Sequence, residues 1–142
     1  MTETVSMVAA AVVLALVSVA GAPAVEPAFS PAQQAVVAKA AARLKSPAER
    51  QMVAGWSNAK KAAEMICRPA ALPALKKQVP GADRVFLGTN DPATLTLVSN
   101  RSLIGIGQVR AGAGWRDFTF TCQLDPRSGL ASGFKAVLKS GT

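Results

Sequence analysis

The sequence predicts an α+β fold in which N-terminal helices pack on a C-terminal antiparallel β-meander, with one disulfide. Two observations separate the helical part from the strand part. Residues 30–78 are rich in Ala, Lys, Arg and Gln and lack any run of β-branched residues, whereas residues 83–139 are rich in Thr, Val, Phe, Leu and Gly. A third observation links the parts, because each contains one of the two cysteines, Cys67 and Cys122.

The N-terminus has the pattern of an export signal. Residues 7–20 read MVAAAVVLALVSVA, an uncharged apolar run, and Gly21-Ala22-Pro23-Ala24 follows with a helix breaker and small residues. This predicts a signal peptide over 1–24 cleaved before Val25, or as a second choice before Gly21. An uncleaved anchor is the alternative, because the apolar stretch is long enough to span a bilayer and no Lys or Arg precedes it.

Export determines how the rest of the chain is interpreted. Residues 25–29 are predicted to be a short linker and residues 30–142 a single α+β domain that is periplasmic or secreted. An even number of cysteines in an exported chain indicates a disulfide between Cys67 and Cys122. A redox or nucleophilic thiol is the alternative, but there is no CxxC motif and no His to activate it.

The helix starts are marked by two repeated motifs. Ser30-Pro31-Ala32-Gln33 and Ser46-Pro47-Ala48-Glu49 each have the residues of a capping box with Pro at the first helical position. They predict helices over residues 31–45 and 47–67, and a short third helix over 69–78.

The second predicted helix has one apolar stripe, with Cys67 beside it. The stripe has helical spacing and consists of Met52, Trp56, Ala59, Ala63 and Ile66. Gly55 is expected to bend or split this helix, in which case Ser57 restarts it.

Five runs of alternating or β-branched residues predict strands, at 84–87, 94–99, 102–110, 115–124 and 130–139. The clearest run alternates inward-facing residues with polar ones. Its inward-facing set is Phe118, Phe120, Cys122 and Leu124. Cys122 is therefore expected in the core, where it can meet Cys67.

The segment Gly105-Ile106-Gly107-Gln108-Val109-Arg110 superficially resembles a dinucleotide-binding loop. Arg110 stands where the third Gly belongs, and the segment lies inside a strand rather than before a helix. The two glycines are instead expected to let another backbone or a Trp ring lie close to the strand.

The absence of His limits the chemistry that is available. Without it there is no Ser–His or Cys–His nucleophile, and the commonest metal ligand is missing. We therefore predict no metal, no cofactor and no catalytic residue. A small hydrolase that uses Asp and Lys is the enzymatic alternative, with its carboxylates drawn from Asp83, Asp91, Asp117 and Asp125. Asp91 and Asp125 precede Pro in turns, and Asp117 is expected to pair across strands with Arg110 or Lys135.

The net charge of +8 favours an anionic partner, although basic charge that merely aids solubility is the alternative. The charge is scattered without a basic arm, which argues against nucleic acid. Trp115 has the opposite strand parity to Phe118, so it is expected outside the core. With Arg110 and Arg116 it forms a candidate binding patch for a sugar or an anion. In the alternative interpretation this Trp only covers an open sheet edge.

These observations favour a non-enzymatic binding module of the cell envelope, whose partner is an anionic envelope component or an envelope protein. A membrane contact is expected only through the N-terminal segment, if it is uncleaved. A second alternative to this function, beside the hydrolase, is a periplasmic enzyme inhibitor that presents residues 88–93 or 111–114 to its target.

Two segments, Glu64-Met65-Ile66-Cys67-Arg68-Pro69-Ala70 and residues 105–125, resemble an alphaproteobacterial family catalogued as domain of unknown function 930. The likeness covers roughly residues 47–138. It lies in a Cys at the end of a helix, a strand with small residues, and a later strand with a Trp, alternating aromatics and a Cys. Arg116 departs from it, because an aromatic is expected after the Trp. The resemblance implies an exported envelope protein with two partnered cysteines, and it implies no activity.

Overall fold

The computed structural model describes residues 25–140, so the predicted signal peptide or anchor at 1–24 lies outside the described residues. The helical part consists of α1 (Pro31–Ala42), α2 (Pro47–Ala54), α3 (Asn58–Lys61), a π-helical segment (Ala62–Cys67) and α4 (Arg68–Lys76). The strands that follow are β1 (Ala82–Leu87), β2 (Leu95–Ser99), β3 (Ser102–Ala111), β4 (Gly114–Leu124) and β5 (Ala131–Leu138). The predicted α+β class is confirmed. Within residues 25–140, no helix has the length and apolar character needed to cross a membrane.

Serine hydroxyls begin the first helices as predicted. At α1 the capping box is complete, since Ser30 Oγ accepts the Gln33 N–H and the Gln33 side chain accepts the Ser30 N–H. At α2 the Ser46 hydroxyl accepts the Glu49 N–H. Ser57 caps α3, so the expected split of the second helix near Gly55 is confirmed.

The predicted stripe of the second helix is right for three of its five residues. Ala59, Ala63 and Ile66 are buried, but Met52 is 58% exposed and Val53 is the buried residue of α2. The break between α2 and α3 resets the helical phase, and therefore a 3.6-residue period cannot be carried across it.

Gln33 does more than cap its helix. It is fully buried, and its Nε2 donates to the backbone carbonyl of Asn100 at 2.6 Å, in the turn between β2 and β3. A polar side chain without exposure needs such partners, and this one fastens α1 to the sheet.

The Gln33→Ala change is expected to lower the free energy of unfolding by about 2–3 kcal/mol, because it leaves the Asn100 carbonyl unpaired and removes half of the capping box. Urea unfolding at equilibrium measures the loss. Gln34→Ala is the control, because that neighbouring side chain is exposed, and a change below about 0.5 kcal/mol is expected there. Equal losses for the two variants would contradict the anchoring role of Gln33.

Within residues 25–140 the strands form one five-stranded antiparallel sheet with the order β1-β3-β4-β5, and β2 also pairs with β3. From β2 onward the chain is a meander, but β1 does not pair with β2. Both lie end to end along the same edge of β3, with Leu87 opposite Gly107 and Leu95 opposite Gly105. The loop between them does not reverse the chain, since the N–H of Gly88 still donates to Ile106 O of β3 at 2.7 Å.

The helices pack on one face of this sheet and the core lies between them. The predicted inward residues of β4 are all buried, as are the inner residues of β1, β2 and β3, namely Val85, Leu87, Leu97, Leu103 and Val109. Cys67 of the π-helical segment and Cys122 of β4 are fully buried and form the predicted disulfide. Gly105 and Gly107 also face the core, where the rings of Phe120 and Phe118 lie against them.

Candidate functional site

No element within the described residues covers the face of the sheet that is turned away from the helices. We call it the open face. Strand alternation and the pairing register place the following side chains on it: Arg84, Phe86, Thr96, Val98, Ile104, Ile106, Gln108, Arg110, Trp115, Asp117, Thr119, Thr121, Lys135, Val137 and Lys139. A sheet that only meets water normally has a polar outer face. Several of these side chains are instead large, apolar and exposed.

The middle of the open face is a shallow apolar groove of about 710 Å³. Ile104, Ile106 and Val137 supply its aliphatic surface and are 41%, 37% and 70% exposed. Threonine methyl groups and hydroxyls line it between them, from Thr94, Thr96, Thr119 and Thr121. Lys135 lies at its β5 side, opposite Thr121 in the register.

An aromatic pair lies at the β1 end of the open face. The rings of Phe86 and Trp115 are stacked, with centroids 5.3 Å apart and planes 14° from parallel. The Arg110 guanidinium lies 5.7 Å from the Trp115 ring centroid, within cation–π range. Each ring is 42% exposed, so the pair is both packed and accessible.

Arg110 is held by a carboxylate rather than left available. Its Nε and Nη2 each donate to an oxygen of Asp83 at 3.0 Å, which is a bidentate pair. The hydrogen bond from Arg110 lowers the pKa of Asp83 below its ordinary value. Asp83 therefore stays ionised at neutral pH, and the charge of Arg110 is balanced.

The structure brings together two of the three residues of the predicted binding patch. Arg110 and Trp115 are direct register partners on the open face. Arg116 pairs with the buried Val109, so alternation turns its side chain to the helix side of the sheet. The patch of Arg110, Trp115 and Arg116 is thus not one surface. The expected pairing of Asp117 with Arg110 or Lys135 is wrong, because the register places Asp117 opposite Gln108, whose Nε2 donates to it at 2.9 Å.

Three other basic groups of the open face form no salt bridge within residues 25–140, although Lys139 lies opposite Asp117 at the end of the ladder. The salt bridges there join Arg110 to Asp83 and Arg68 to Glu64. The basic groups outside these pairs are Arg84, Lys135 and Lys139, all exposed. The groove therefore has a basic border on its β5 side, formed by Lys135 of its lining and by Lys139 two residues beyond Val137, which sequence reasoning missed. The apolar groove itself was indicated in the sequence of β3, where two isoleucines alternate with two glycines. Because alternate residues of a strand face opposite sides, either the isoleucines or the glycines must face outward.

The four carboxylates considered for hydrolysis each have a local partner. Asp83 binds Arg110 and Asp117 binds Gln108, while Asp91 Oδ1 accepts the Ala93 N–H at 2.9 Å. Asp125 accepts the Arg127 N–H at 2.8 Å, and this bond lowers the pKa of Asp125. These contacts give all four a structural role in turns or strand pairs.

The two loops proposed for the inhibitor hypothesis differ in form. In the loop between β1 and β2, Thr94 Oγ1 accepts the Thr89 N–H at 2.9 Å and donates to the Asp91 carbonyl at 2.7 Å. The β3–β4 turn has two residues between the paired Ala111 and Gly114, with φ +62° at Gly112, as a tight hairpin requires. The inhibitor hypothesis stays a prediction.

Comparison of the chain with protein-family models, curated proteins and solved structures found no match. The assignment of a function therefore rests on the open face itself.

Proposed function

We propose that this protein is an exported, non-enzymatic binding module that holds an anionic partner on the open face of its sheet. One observation carries the proposal. The groove presents Ile104, Ile106 and Val137 to solvent, while Lys135 lines it and forms no salt bridge within residues 25–140. Exposed apolar area supplies contact energy, and unpaired ammonium groups select a partner of opposite charge.

Other features of the chain agree with this function. A disulfide is typical of proteins from oxidising compartments, in agreement with export to the periplasm or beyond. Membership of the domain-of-unknown-function-930 family is part of the same proposal. The overall charge of +8 draws anionic partners toward the protein before contact.

Amide chemical-shift mapping with polyglutamate, a soluble polyanion, tests the proposal. At low salt we expect the largest shifts in β3, β4 and β5 around the groove, and we expect them to shrink as salt screens the lysines. Val137→Asp, which places a negative charge at the most exposed large apolar residue of the groove, should abolish these shifts. No binding at low salt, or shifts centred on the helices, would contradict the proposal.

Asp83→Asn is expected to increase the affinity for such a partner. The change removes the carboxylate that holds Arg110, and one freed cation at a charged surface is worth about 1 kcal/mol, or roughly fivefold in affinity. A fluorescence titration in a Trp56→Phe background, where Trp115 with Arg110 over its ring is the remaining tryptophan, measures the gain. Glu49→Gln on α2 makes the same change of net charge away from the open face. If both variants gained equally, only overall charge would matter and the open face would not be the site.

A further inference from the structure

The composition of the open face points to one class of anionic partner. Membrane interfaces favour aromatic rings at the head-group level, aliphatic side chains below them and lysines whose ammonium groups reach the phosphates. The open face has all three, in the Phe86–Trp115 pair, the Ile104–Ile106 groove and the lysines of β5 and its C-terminal extension.

We infer that the open face lies against an anionic lipid surface, a conclusion that rests on the proposed function and names its partner. The most exposed apolar residue of the groove, Val137, alternates along the chain with Lys135 and Lys139 on the same face. This places a projecting aliphatic group between two ammonium groups. Arg84 adds a third cation beside the aromatic pair, and the Lys139 N–H donates to Asp117 O at 2.9 Å, which continues the ladder past β5.

Other occupants fit this surface less well. A small ligand needs a site that encloses most of its surface, and the groove lies on the flat of the sheet between Ala93 and Val137. A second copy would bring another surface with the cations Arg84, Lys135 and Lys139 against this one, and like charges across a contact oppose binding.

The anchor alternative for the N-terminal segment would favour a membrane over an acidic protein. The uncharged apolar run at 7–20 belongs to residues 1–24, which lie outside the described part of the chain. The described chain begins at Val25, and Glu26 is fixed because its carboxylate oxygens accept the Asn58 and Ala59 N–H groups at 2.9 Å. Val25 and Glu26 lie beside Thr96, which also lines the groove. If the apolar run is the uncleaved anchor, the membrane that holds it would lie next to this edge of the open face; if it is cleaved, contact with lipid would rest on the open face alone.

Quenching of Trp115 by lipid tests the inference in the full chain. Trp56→Phe removes the other tryptophan, so that the fluorescence reports the open face alone. The probes are vesicles of phosphatidylcholine with brominated acyl chains, with and without phosphatidylglycerol. Because the signal comes from the open face, attachment through the N-terminal segment does not produce it by itself.

We expect quenching only with phosphatidylglycerol present. Lys135→Gln and Lys139→Gln should each lower the apparent affinity for these vesicles about fivefold, and Val137→Asp should abolish the quenching. The matched controls lie on the helical side of the molecule, where Lys39→Gln, Lys45→Gln and Met52→Asp should each change the apparent affinity less than about twofold.

Two results would overturn the inference. Quenching that is equal without phosphatidylglycerol, or equally reduced by the helix-side controls, would remove the role of the basic border. Absence of quenching while polyglutamate still shifts the open-face amides would reject the lipid surface and leave the proposed function standing. Absence of both responses would reject the two together.

Discussion

Replacing Cys67 and Cys122 together with alanine is expected to lower the free energy of unfolding by roughly 4 kcal/mol. The bond spans a sequence separation of 55 residues, and closing a loop of that size removes much of the conformational entropy of the unfolded chain. Both cysteines are fully buried, so the loss of the sulfur atoms also leaves a small cavity in the core, where Leu103 and Phe134 are the register partners of Cys122. Equilibrium urea unfolding measures the change.

The reduced wild-type protein is the control for this variant. If the cross-link itself stabilises the fold, the wild type reduced in urea and kept reduced should lose nearly as much stability as the double variant. A double variant within about 1 kcal/mol of the oxidised protein would show that the bond adds little to the core. The free energy of unfolding of a whole domain is typically about 5–15 kcal/mol, so a loss of this size is a large fraction of it. The reduced protein should therefore unfold at a markedly lower urea concentration.

The cysteine pair shows why much of this fold could be predicted from local patterns. Alternation along β4 placed Cys122 in the core, and helical spacing placed Cys67 beside Ala63 and Ile66. Each of these patterns can be recognised within a single helix or strand. The disulfide then requires only that the inward faces of the two elements meet in the core. The Ser30 cap, the split after Gly55 and the five strands were predicted on the same local basis.

Contacts between distant elements could not be predicted in the same way. The partner of Arg110 is Asp83, which lies on β1, and no local pattern indicates that β1 runs along the same edge of β3 as β2. The exposure of Trp115 followed from its parity, but the ring that stacks on it, Phe86, is set by register. The groove is exposed because the helices cover the other face of the sheet. Which face the helices cover is determined by packing between the two layers, and no local sequence pattern indicates it.

Gly107 belongs to β3, a strand that contributes residues to both the core and the open face. Its neighbours Ile106 and Gln108 point outward, while its own α-carbon faces Phe118. A Cβ at this position would meet the Phe118 ring and would come within 2.6 Å of the Phe86 carbonyl oxygen. The carbonyl belongs to the paired backbone of β1, so it cannot yield without opening the β1–β3 ladder.

Gly107→Ala is therefore expected to lower the free energy of unfolding by about 3 kcal/mol, at the upper end for an overpacked core. Gly114→Ala is a matched control in the same sheet, because the nearest atom to its added Cβ is 3.9 Å away, and we expect a change within about 0.5 kcal/mol. Urea unfolding compares the two variants. In a Trp56→Phe background, Trp115 fluorescence reports the open face, since a displaced Phe86 loosens the stacked pair. A stable Gly107→Ala protein would contradict the close packing of Phe118 under β3. A destabilised variant with altered Trp115 emission would show that Gly107 has two roles. It allows β3 to pack closely on the core, and it fixes the position of the Phe86–Trp115 pair on the open face.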